Sequence, residues 1–457
     1  MTGARKHVHL AAHFPGVNNT TVWNQPDSGS QIDFSSFMHL ARAAEAAKFD
    51  FFFFAEGLRL REHRGEIFDL DVVGRPDSLG VLSALAAVTD RIGLAATVNT
   101  TFNEPYELAR QFATLDHLSA GRAAWNAVTS PDAFTGENFR RGGFLDHERR
   151  YERAAEFIET AQLLWDSWHE DTIAADLSRG QFRRSDGIPP FRHDGDEFHI
   201  AGRFNVPASP QRYPVQIQAG DSDGGRELAA RHADVIFSRH ASKRAGQEFY
   251  ADVKGRLARY GRSRDDLKII PAAVAVVGDD QADARERARA IHLQQVSPQG
   301  AIAFVEQVWG RDLTHLDPDG PLPEEDPDEA GTHSITRGRV RHTKDPIAVA
   351  KQWRELAEAK SLSIRELVIE VSARATFVGS PREVAEQIEQ HVQEEAADGF
   401  ILVPHLTPHG LDDFFARVVP ELQDRGVFRT DYEHETLREN LGLPPHDARG
   451  MSVAADG

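Results

Sequence analysis

Short apolar runs alternate with longer segments of helical periodicity along most of the chain. Eight of these runs are typical of β-strands, and continuous apolar runs such as 50–57 are expected of strands buried on both faces. In chain order the runs are HVHLAAHF (7–14), DFFFFAEG (50–57), RIGLAATVNT (91–100), GRAAWNAVTS (121–130), PVQIQAG (214–220), ADVIFSR (233–239), LKIIPAAVAVVG (267–278) and DGFILVP (398–404).

The segments between the runs carry the spacing and the end signals of helices. Pro105 begins one such segment and Gly121 follows it, which is the usual order of these two residues around a helix. Helices are also predicted over 34–49, near 77–89 and over 146–168. Repeated β–α units imply parallel strands, and eight units predict a (β/α)₈ (TIM) barrel, which needs about 250 residues. An open doubly wound sheet is the alternative architecture.

The 457 residues exceed what a bare barrel needs. The excess falls in two segments that break the β–α rhythm, about 169–213 and about 279–375, so we predict one domain over 1–457 with two insertions. The second insertion contains an acidic, proline-rich stretch, LDPDGPLPEEDPDEAG (316–331). Loops of this length form functional lids or are disordered, and both interpretations stay open.

Composition narrows the class of function. The formal net charge of −19 disfavours binding to nucleic acid or to an anionic membrane surface. The absence of cysteine excludes disulfides, thiolate catalysis and cysteine-ligated metal sites. The N-terminus lacks the apolar core of a signal peptide, and no run approaches the roughly 20 apolar residues of a membrane span. We therefore expect a cytoplasmic protein.

Polar residues at the ends of the predicted strands mark the candidate site. In a barrel of this type the carboxyl ends of the strands form one rim, where the active site lies. Such polar ends are costly in an apolar barrel unless a partner or ligand satisfies them, so together they predict a polar ligand site. The ends in question are His13, Glu56, Thr97, Asn126 and the corner 220–225.

The corner GDSDGG (220–225) admits two interpretations. A glycine-rich turn before a helix exposes backbone N–H groups and part of the helix dipole, which suits a phosphate. Alternatively, Ser222 or Asp223 simply caps the following helix. His147 and Tyr151 share one face at the start of the long helix and could reach a ligand over the rim, or could serve packing alone.

No metal site is expected. His7 and His9 precede the apolar part of their strand, so they lie at the end of the barrel opposite the rim, and a structural role is the better interpretation. The run of four phenylalanines at 51–54 is expected to be core.

Several stretches resemble the bacterial luciferase-like flavin-dependent monooxygenases, and within them the branch that includes nitrilotriacetate, EDTA and dibenzothiophene-sulfone monooxygenases. The stretches span nearly the whole chain in the expected order. They are KFDFFFFAEGL (48–58), GLAATVNTTFNEPYELARQFATLDHLSAGRAAWNAVTS (93–130), ENFRRGGFLDHERRYERAAEFIETAQLLWDSW (137–168), PVQIQAGDSDGG (214–225) and the segment AADGFILVPHL…NLGLP (396–444).

The resemblance implies a luciferase-like barrel that binds reduced FMN at the rim. It assigns flavin contacts to Glu56, Thr97, His147, Tyr151 and Ser222, with Ser222 and the following amides on the phosphate. Family members commonly carry Asp where this chain has Glu56, and a small or apolar residue where it has Asp221. The implied reaction is that of a two-component monooxygenase, in which reduced FMN and O₂ form a flavin C4a-(hydro)peroxide that oxygenates a small organic substrate.

The resemblance also implies a separate NAD(P)H:flavin reductase and a homodimer or homotetramer. We hypothesise that His13 and Asn126 line the pocket beside the reacting flavin ring. Three alternatives remain: a deazaflavin-dependent oxidoreductase on the same barrel, a flavin-binding protein without turnover, and a metal-dependent barrel hydrolase. The sequence does not identify the substrate.

Overall fold

The computed structural model describes most of the chain. The described ranges are 5–15, 21–63, 65–67, 72–130, 133–139, 147–169, 171–184, 187–240, 242–328, 336–337, 345–372 and 376–446. At 133–134, 147–148 and 336–337 the backbone alone is described.

Strands and helices are numbered along the chain. The strands are β1 (His9–Phe14), β2 (Phe51–Phe54), β3 (Glu62–His63), β4 (Glu66–Ile67), β5 (Gly93–Asn99), β6 (Ala123–Val128), β7 (Ile173–Asp176), β8 (Gln181–Arg183), β9 (Phe191–Asp194), β10 (His199–Gly202), β11 (Val215–Ala219), β12 (Val235–Phe237), β13 (Lys268–Ile269), β14 (Ala272–Ala273), β15 (Ala275–Val277), β16 (Thr336–Arg337), β17 (Phe377–Gly379) and β18 (Gly399–Leu402).

The helices are α1 (Phe34–Ala46), α2 (Ser78–Ala86), α3 (Pro105–Leu118), α4 (Ala133–Gly136), α5 (His147–Asp166), α6 (Asp223–His232), α7 (Lys243–Arg256), α8 (Gln281–Gln295), α9 (Pro298–Trp309), α10 (Pro346–Lys360), α11 (Ile364–Ser372), α12 (Pro381–Gln393), α13 (Val419–Asp424) and α14 (Leu437–Asn440). Leu257–Tyr260 and Arg264–Asp266 form short 3₁₀ helices, and Phe414–Val418 forms a π-helix.

One parallel sheet closes on itself as a barrel. Its order is β13-β12-β11-β6-β5-β2-β1-β18-β14, and β13 and β14 are successive pieces of one strand divided by Pro271, which has no N–H to donate. Lys268 N donates to Asp234 O at 2.8 Å on the β12 side, while Ile401 N donates to Pro271 O at 2.9 Å on the β18 side. The eight predicted runs therefore form eight barrel strands, and the predicted barrel class is confirmed.

Successive side chains of a strand point to opposite faces of the sheet, so they alternate between the barrel interior and the surrounding helices. Phe51 and Phe53 pack inside the barrel, whereas Phe52 and Phe54 belong to the core between the sheet and the helices. All four are buried, which accounts for the continuous apolar run in the sequence.

Three aspartates fix the strands at the amino-terminal end of the barrel. Each lies directly before a strand, accepts a backbone N–H from the neighbouring strand and pairs with a cation. Asp50 and Asp234 are buried, and the Asp398 side chain is 14% exposed. Asp50 accepts hydrogen bonds from Leu10 N at 2.8 Å and from Arg429 Nη2 at 2.5 Å. Asp234 accepts from Gln216 N at 2.8 Å and lies 2.5 Å from Arg438 Nη2. Asp398 accepts from Ile269 N at 2.8 Å and lies 3.0 Å from Lys254 Nζ. His9 also contacts Asp50, at 3.2 Å, so it serves this structural cluster.

The C-terminal segment seals the same end of the barrel. Leu437, Leu441 and Leu443 are buried among the interior side chains of the strands. A Cβ at position 93 would lie 2.6 Å from Leu437 Cδ1, so Gly93 is the residue that lets the segment approach the sheet. With this end closed, the opposite rim is the entrance to the interior.

The segments predicted as insertions carry their own elements. Residues 169–213 include two antiparallel hairpins, β7–β8 and β9–β10. Helices α9, α10 and α11 share a separate hydrophobic cluster that includes Trp309, Trp353 and Leu322. The division into one domain with insertions stays a prediction.

The described part of the acidic stretch is bound to these helices. Ile364 N donates to Gly320 O at 2.9 Å, and Trp309 Nε1 donates to Glu325 O at 2.8 Å. Residues 316–328 therefore form a fixed cover on α9–α11, while 329–331 lie outside the described residues. No helix in the described part of the chain is long and apolar enough to cross a membrane.

Candidate active site at the barrel rim

A cavity of about 330 Å³ opens at the carboxyl ends of the barrel strands. Its walls combine the ends of six strands with the loops that follow them, as the rim argument predicts. The polar side chains in the wall are His13, Glu56, Thr97, Asn126, Ser130, Thr135 and Arg239, and the apolar ones include Phe53, Leu58, Val128, Ala219 and Phe237.

Two buried polar atoms in the cavity wall have no hydrogen-bond partner among the described residues. Asn126 Nδ2 donates to Thr97 Oγ1 at 2.9 Å, but Asn126 Oδ1 is unpaired there, and so is His13 Nδ1. A buried polar atom without a partner costs about 1–3 kcal/mol. The cavity therefore presents an acceptor and an imidazole nitrogen that a bound polar molecule would satisfy.

Glu56 is held in the wall by its neighbour on β5. Asn99 Nδ2 lies 3.2 Å and 3.1 Å from the two carboxyl oxygens of Glu56. Burial raises the pKa of Glu56 to about 7, although the bonds from Asn99 act in the opposite direction. The carboxyl group therefore changes its charge near neutral pH, which is unusual for a glutamate.

The cavity wall beside His13 is electropositive. Burial, together with the charges of Arg75 and Arg239, lowers the pKa of His13 to about 3, so its imidazole is neutral. Arg75 Nη1 donates to Ala55 O at 2.5 Å, and another of its nitrogens bonds Pro15 O. These bonds fix the cation beneath the loops after β1 and β2, where it favours an anionic group in the cavity.

The glycine-rich corner lies next to the cavity, after Ala219. Ser222 caps α6, because its Oγ accepts from Gly225 N at 3.2 Å, and the same oxygen lies 2.8 Å from the hydroxyl of Tyr151. A Cβ at Gly224 would come within 3.0 Å of the Tyr151 ring. Ser222 therefore caps α6, and the corner also joins a helix N-terminus to two hydroxyl groups. The phosphate contact stays a prediction.

Asp221 in this corner lies near two arginines, Arg226 and Arg239. Burial raises its pKa, while a backbone hydrogen bond from Arg239 and the charges of Arg226 and Arg239 act in the opposite direction. The positive charges of Arg226 and Arg239 offset the repulsion that an anion at the corner would meet from Asp221.

The short helix α4 covers one side of the rim. Thr135 from this helix lines the cavity, Asn138 Nδ2 donates to Leu58 O at 3.0 Å, and Phe139 stacks on Phe102 with ring centroids 4.4 Å apart. The segment 133–139 therefore narrows the opening to solvent.

Comparison with known proteins decides the family. A family described as "Luciferase-like monooxygenase" matches residues 17–399. The chain belongs to this family. It is 38% identical to nitrilotriacetate monooxygenase component A of Aminobacter aminovorans, over 96% of this chain and 97% of the relative.

Two solved structures resemble this luciferase-like protein along its length. EDTA monooxygenase from Chelativorans sp. BNC1 superposes with a TM-score of 0.74 at 30% identity, covering 96% of this chain and 99% of that one. Riboflavin lyase, solved with modified FMN and riboflavin, gives a TM-score of 0.78 at 28% identity, covering 96% and 97%. The predicted family, its nitrilotriacetate and EDTA branch, and the monooxygenase class are confirmed.

The predicted site residues divide into three groups. His13, Glu56, Thr97 and Asn126 meet in one cavity, while Tyr151 and Ser222 bond each other at the adjacent corner. The side chain of His147 lies outside the described residues, so its predicted contact stays a prediction.

Sequence reasoning missed Asn99, Arg75 and Arg239. Asn99 could have been found, since it follows Thr97 by two residues and therefore lies on the same face of β5. Arg239 follows β12 at the rim, just as His13 ends β1. The argument that polar residues at strand ends mark the site could therefore have found Arg239 as well. Arg75 lies in a loop without a periodic pattern, and only the tertiary fold brings it to Ala55.

Proposed function

We propose that this luciferase-like protein is the oxygenase component of a two-component monooxygenase that uses reduced FMN. The observation that carries the proposal is that the Ser222–Tyr151 corner lies directly after a cavity residue, since Ala219 lines the cavity and Ser222 follows it by three residues. A molecule with a planar polar head and a phosphate tail matches this combination of a polar cavity and an adjacent helix N-terminus.

The residues present fit the flavin. Asn126 Oδ1 and His13 Nδ1 are unpaired atoms in the described part of the cavity and offer hydrogen bonds to the polar edge of the ring. Ser222, Tyr151 and the amides that begin α6 would hold the phosphate. Glu56, held by Asn99, would contact the ring as a group that can be neutral at physiological pH.

Reduced FMN, when bound, would supply the two electrons with which O₂ gives one oxygen atom to the substrate and the other to water. The side chains of this chain bind and orient the reactants, and α4 with the loops around Leu58 limits the entry of water. His13 is neutral and can accept or donate one hydrogen bond without adding a positive charge. We assign His13 and Asn126 to the reacting end of the cavity on this ground.

A separate NAD(P)H:flavin reductase supplies the reduced flavin in this proposal, because a relative is named component A of nitrilotriacetate monooxygenase, which points to a second component. The substrate is a small organic molecule. Arg75 and Arg239 favour an anionic one, and the relatives named for nitrilotriacetate and EDTA make aminocarboxylates the first compounds to test.

The test supplies reduced FMN from a generic reductase and follows O₂-dependent conversion of aminocarboxylates, organosulfur compounds and amines. The proposal predicts a product that contains one atom of ¹⁸O from labelled O₂. Substrate conversion with a reduced deazaflavin in the absence of O₂ would instead establish the oxidoreductase alternative. Flavin binding without conversion of any compound, together with unchanged flavin oxidation, would favour the non-catalytic alternative.

A further inference from the structure

Three potential metal ligands converge on the outside of the barrel, away from the cavity. His39 lies on α1, whereas His409 and Asp412 lie in the loop that follows β18. His39 Nε2 is 3.2 Å from Asp412 Oδ1, and His409 Nδ1 is 2.9 Å from Asp412 Oδ2. One ligand atom from each residue lies within 4.8 Å of the other two, and this is the one such group of three in the described part of the chain.

The backbone around the cluster holds these residues in place. Asp412 N donates to His409 O at 3.0 Å, so the two ligands lie on one turn. A Cβ at Gly410 would be 2.5 Å from Leu406 O, which makes this tight loop dependent on glycine. Leu411, between the two ligands, is buried and anchors the turn in the core. The site therefore lies between two ordered elements, the helix α1 and the turn that contains His409 and Asp412.

We infer that His39, His409 and Asp412 bind a divalent transition-metal ion of the Zn²⁺ type at the outer seam between α1 and the loop after β18. The donor set of two imidazoles and one carboxylate suits Zn²⁺, Co²⁺ or Ni²⁺, whereas Mg²⁺ and Ca²⁺ require oxygen ligands. Tetrahedral Zn²⁺ with bonds near 2.0–2.1 Å places its ligand atoms about 3.3 Å apart. A single carboxyl oxygen, Asp412 Oδ2, lies 3.3 Å from His39 Nε2 and 2.9 Å from His409 Nδ1, which is close to this spacing. The chosen atoms of all three residues lie within 4.8 Å of one another, so binding would draw the two imidazoles closer together.

The site is accessible to an ion from solvent. The side chains of His39, His409 and Asp412 are 38%, 43% and 44% exposed. Three protein ligands leave at least one coordination position for water or another small ligand. The ion would connect residues 373 positions apart in the sequence, and so would fix the loop after the last barrel strand to the first helix.

A simpler interpretation is that Asp412 accepts hydrogen bonds from both imidazoles without any ion. An exposed pair elsewhere in the chain provides the matched control. His199 Nδ1 lies 3.5 Å from Asp194 Oδ1 on the β9–β10 hairpin, with the His199 side chain 70% exposed. This pair offers one imidazole and one carboxylate as metal ligands, but no third ligand lies beside it among the described residues.

The experiment titrates Zn²⁺ into the full-length, chelator-treated protein, prepared without a polyhistidine tag, by calorimetry and by thermal unfolding. The inference predicts one site per chain and a rise in Tm of roughly 2 °C or more at saturation. His39→Ala and Asp412→Asn should each weaken binding at least about tenfold and remove the rise in Tm, whereas His199→Ala should change neither.

Spectroscopy separates coordination from loose association. Co²⁺ should give the visible absorption of a tetrahedral N,O site in the original protein and in the His199→Ala variant, but not in Asp412→Asn. Equal Zn²⁺ affinity in all four proteins, or no saturable binding at all, would overturn the inference. Neither readout uses flavin or turnover, so the result is independent of the proposed function.

Discussion

At position 56 a partly buried carboxyl group keeps its proton up to about pH 7, because desolvation raises the pKa of Glu56 to about 7. The unfolded chain releases this proton near pH 4.3, so the folded state loses stability as pH rises from about that value to about 7 and remains less stable above it. The shift from about 4.3 to about 7 corresponds to roughly 3–4 kcal/mol at pH 8. A residue that lowers stability in this way is more easily understood through a contact with a ligand than through packing.

Removing the titratable group should remove this loss of stability. Glu56→Gln should raise the free energy of unfolding at pH 8 by an amount on the order of 1–3 kcal/mol and change it little at pH 4. Urea unfolding at the two pH values measures the difference. Equal effects of the substitution at pH 4 and pH 8 would show that Glu56 titrates as an ordinary glutamate.

Asp50 shows the opposite behaviour at the other end of the barrel. Its pKa is lowered: burial acts to raise it, but the charges of Arg429 and His9 and a hydrogen bond from His9 outweigh burial. Its contribution to stability is therefore present above the usual pKa of aspartate and is lost only as pH falls through the lowered value.

We predict that Asp50→Asn costs about 3–5 kcal/mol of stability at pH 7, because Arg429 would keep its burial without its carboxylate. Chemical unfolding measures the free energy of unfolding of this variant and of the control Asp431→Asn. Asp431 pairs with Lys48 at 3.0 Å, but its side chain is 78% exposed, so its loss should cost less than about 1 kcal/mol. Similar losses in the two variants would contradict the structural role of the Asp50 cluster.

At the scale of elements, the barrel strands were the predictable part. Eight apolar runs have a continuous pattern because each strand is buried between the barrel interior and the helices. The short strands β3, β4 and β16 have two residues each, and two residues carry no period that a sequence can show. The cover formed by 316–328 depends on contacts with Trp309 and Arg354, which are distant or irregular in sequence.

Arg354 is the side chain that most directly fixes this cover. It donates to Pro323 O at 3.0 Å, Glu325 O at 2.5 Å and Asp326 Oδ1 at 2.6 Å. Arg354→Ala should therefore increase hydrogen exchange within 317–328 and α9–α11 while leaving the barrel strands unchanged. Affinity for reduced FMN should also be unchanged, since none of the cavity residues belongs to this cover.

Mass-spectrometric exchange with Arg244→Ala as the control tests this prediction. Arg244 pairs with Glu248 on α7 and its side chain is 88% exposed, so its removal should alter exchange only locally. Faster exchange of barrel strands in Arg354→Ala would mean that α9–α11 and the barrel unfold as one unit.

In the whole molecule, the two ends of the barrel have different roles: one stabilises the fold and the other forms the candidate binding site. The aspartate clusters and the C-terminal leucines close one end, and the cavity with the Ser222 corner opens at the other. Four of the cavity residues could be predicted, because a polar side chain at the carboxyl end of a buried strand is costly unless a partner or ligand satisfies it. The positive charge beside His13 could not be predicted in full, since Arg75 belongs to a loop and only the fold brings it to Ala55.

At the binding end, we propose that the corner at Ser222 holds the phosphate of a reduced flavin whose ring lies in the cavity. Anaerobic titration with reduced FMN and with reduced riboflavin, which lacks the phosphate, tests this most directly. Ser297→Ala is the matched control for Ser222→Ala, because Ser297 also caps a helix by accepting from a glycine three residues on, at 3.0 Å. Each substitution should cost about 1 kcal/mol of stability as a lost cap.

We predict that the original protein and Ser297→Ala bind reduced FMN more tightly than reduced riboflavin. Ser222→Ala should reduce this preference by about tenfold or more, because it removes a hydrogen bond to a charged group, and should leave riboflavin affinity unchanged. An undiminished preference for FMN in Ser222→Ala would contradict the proposal and place the phosphate elsewhere.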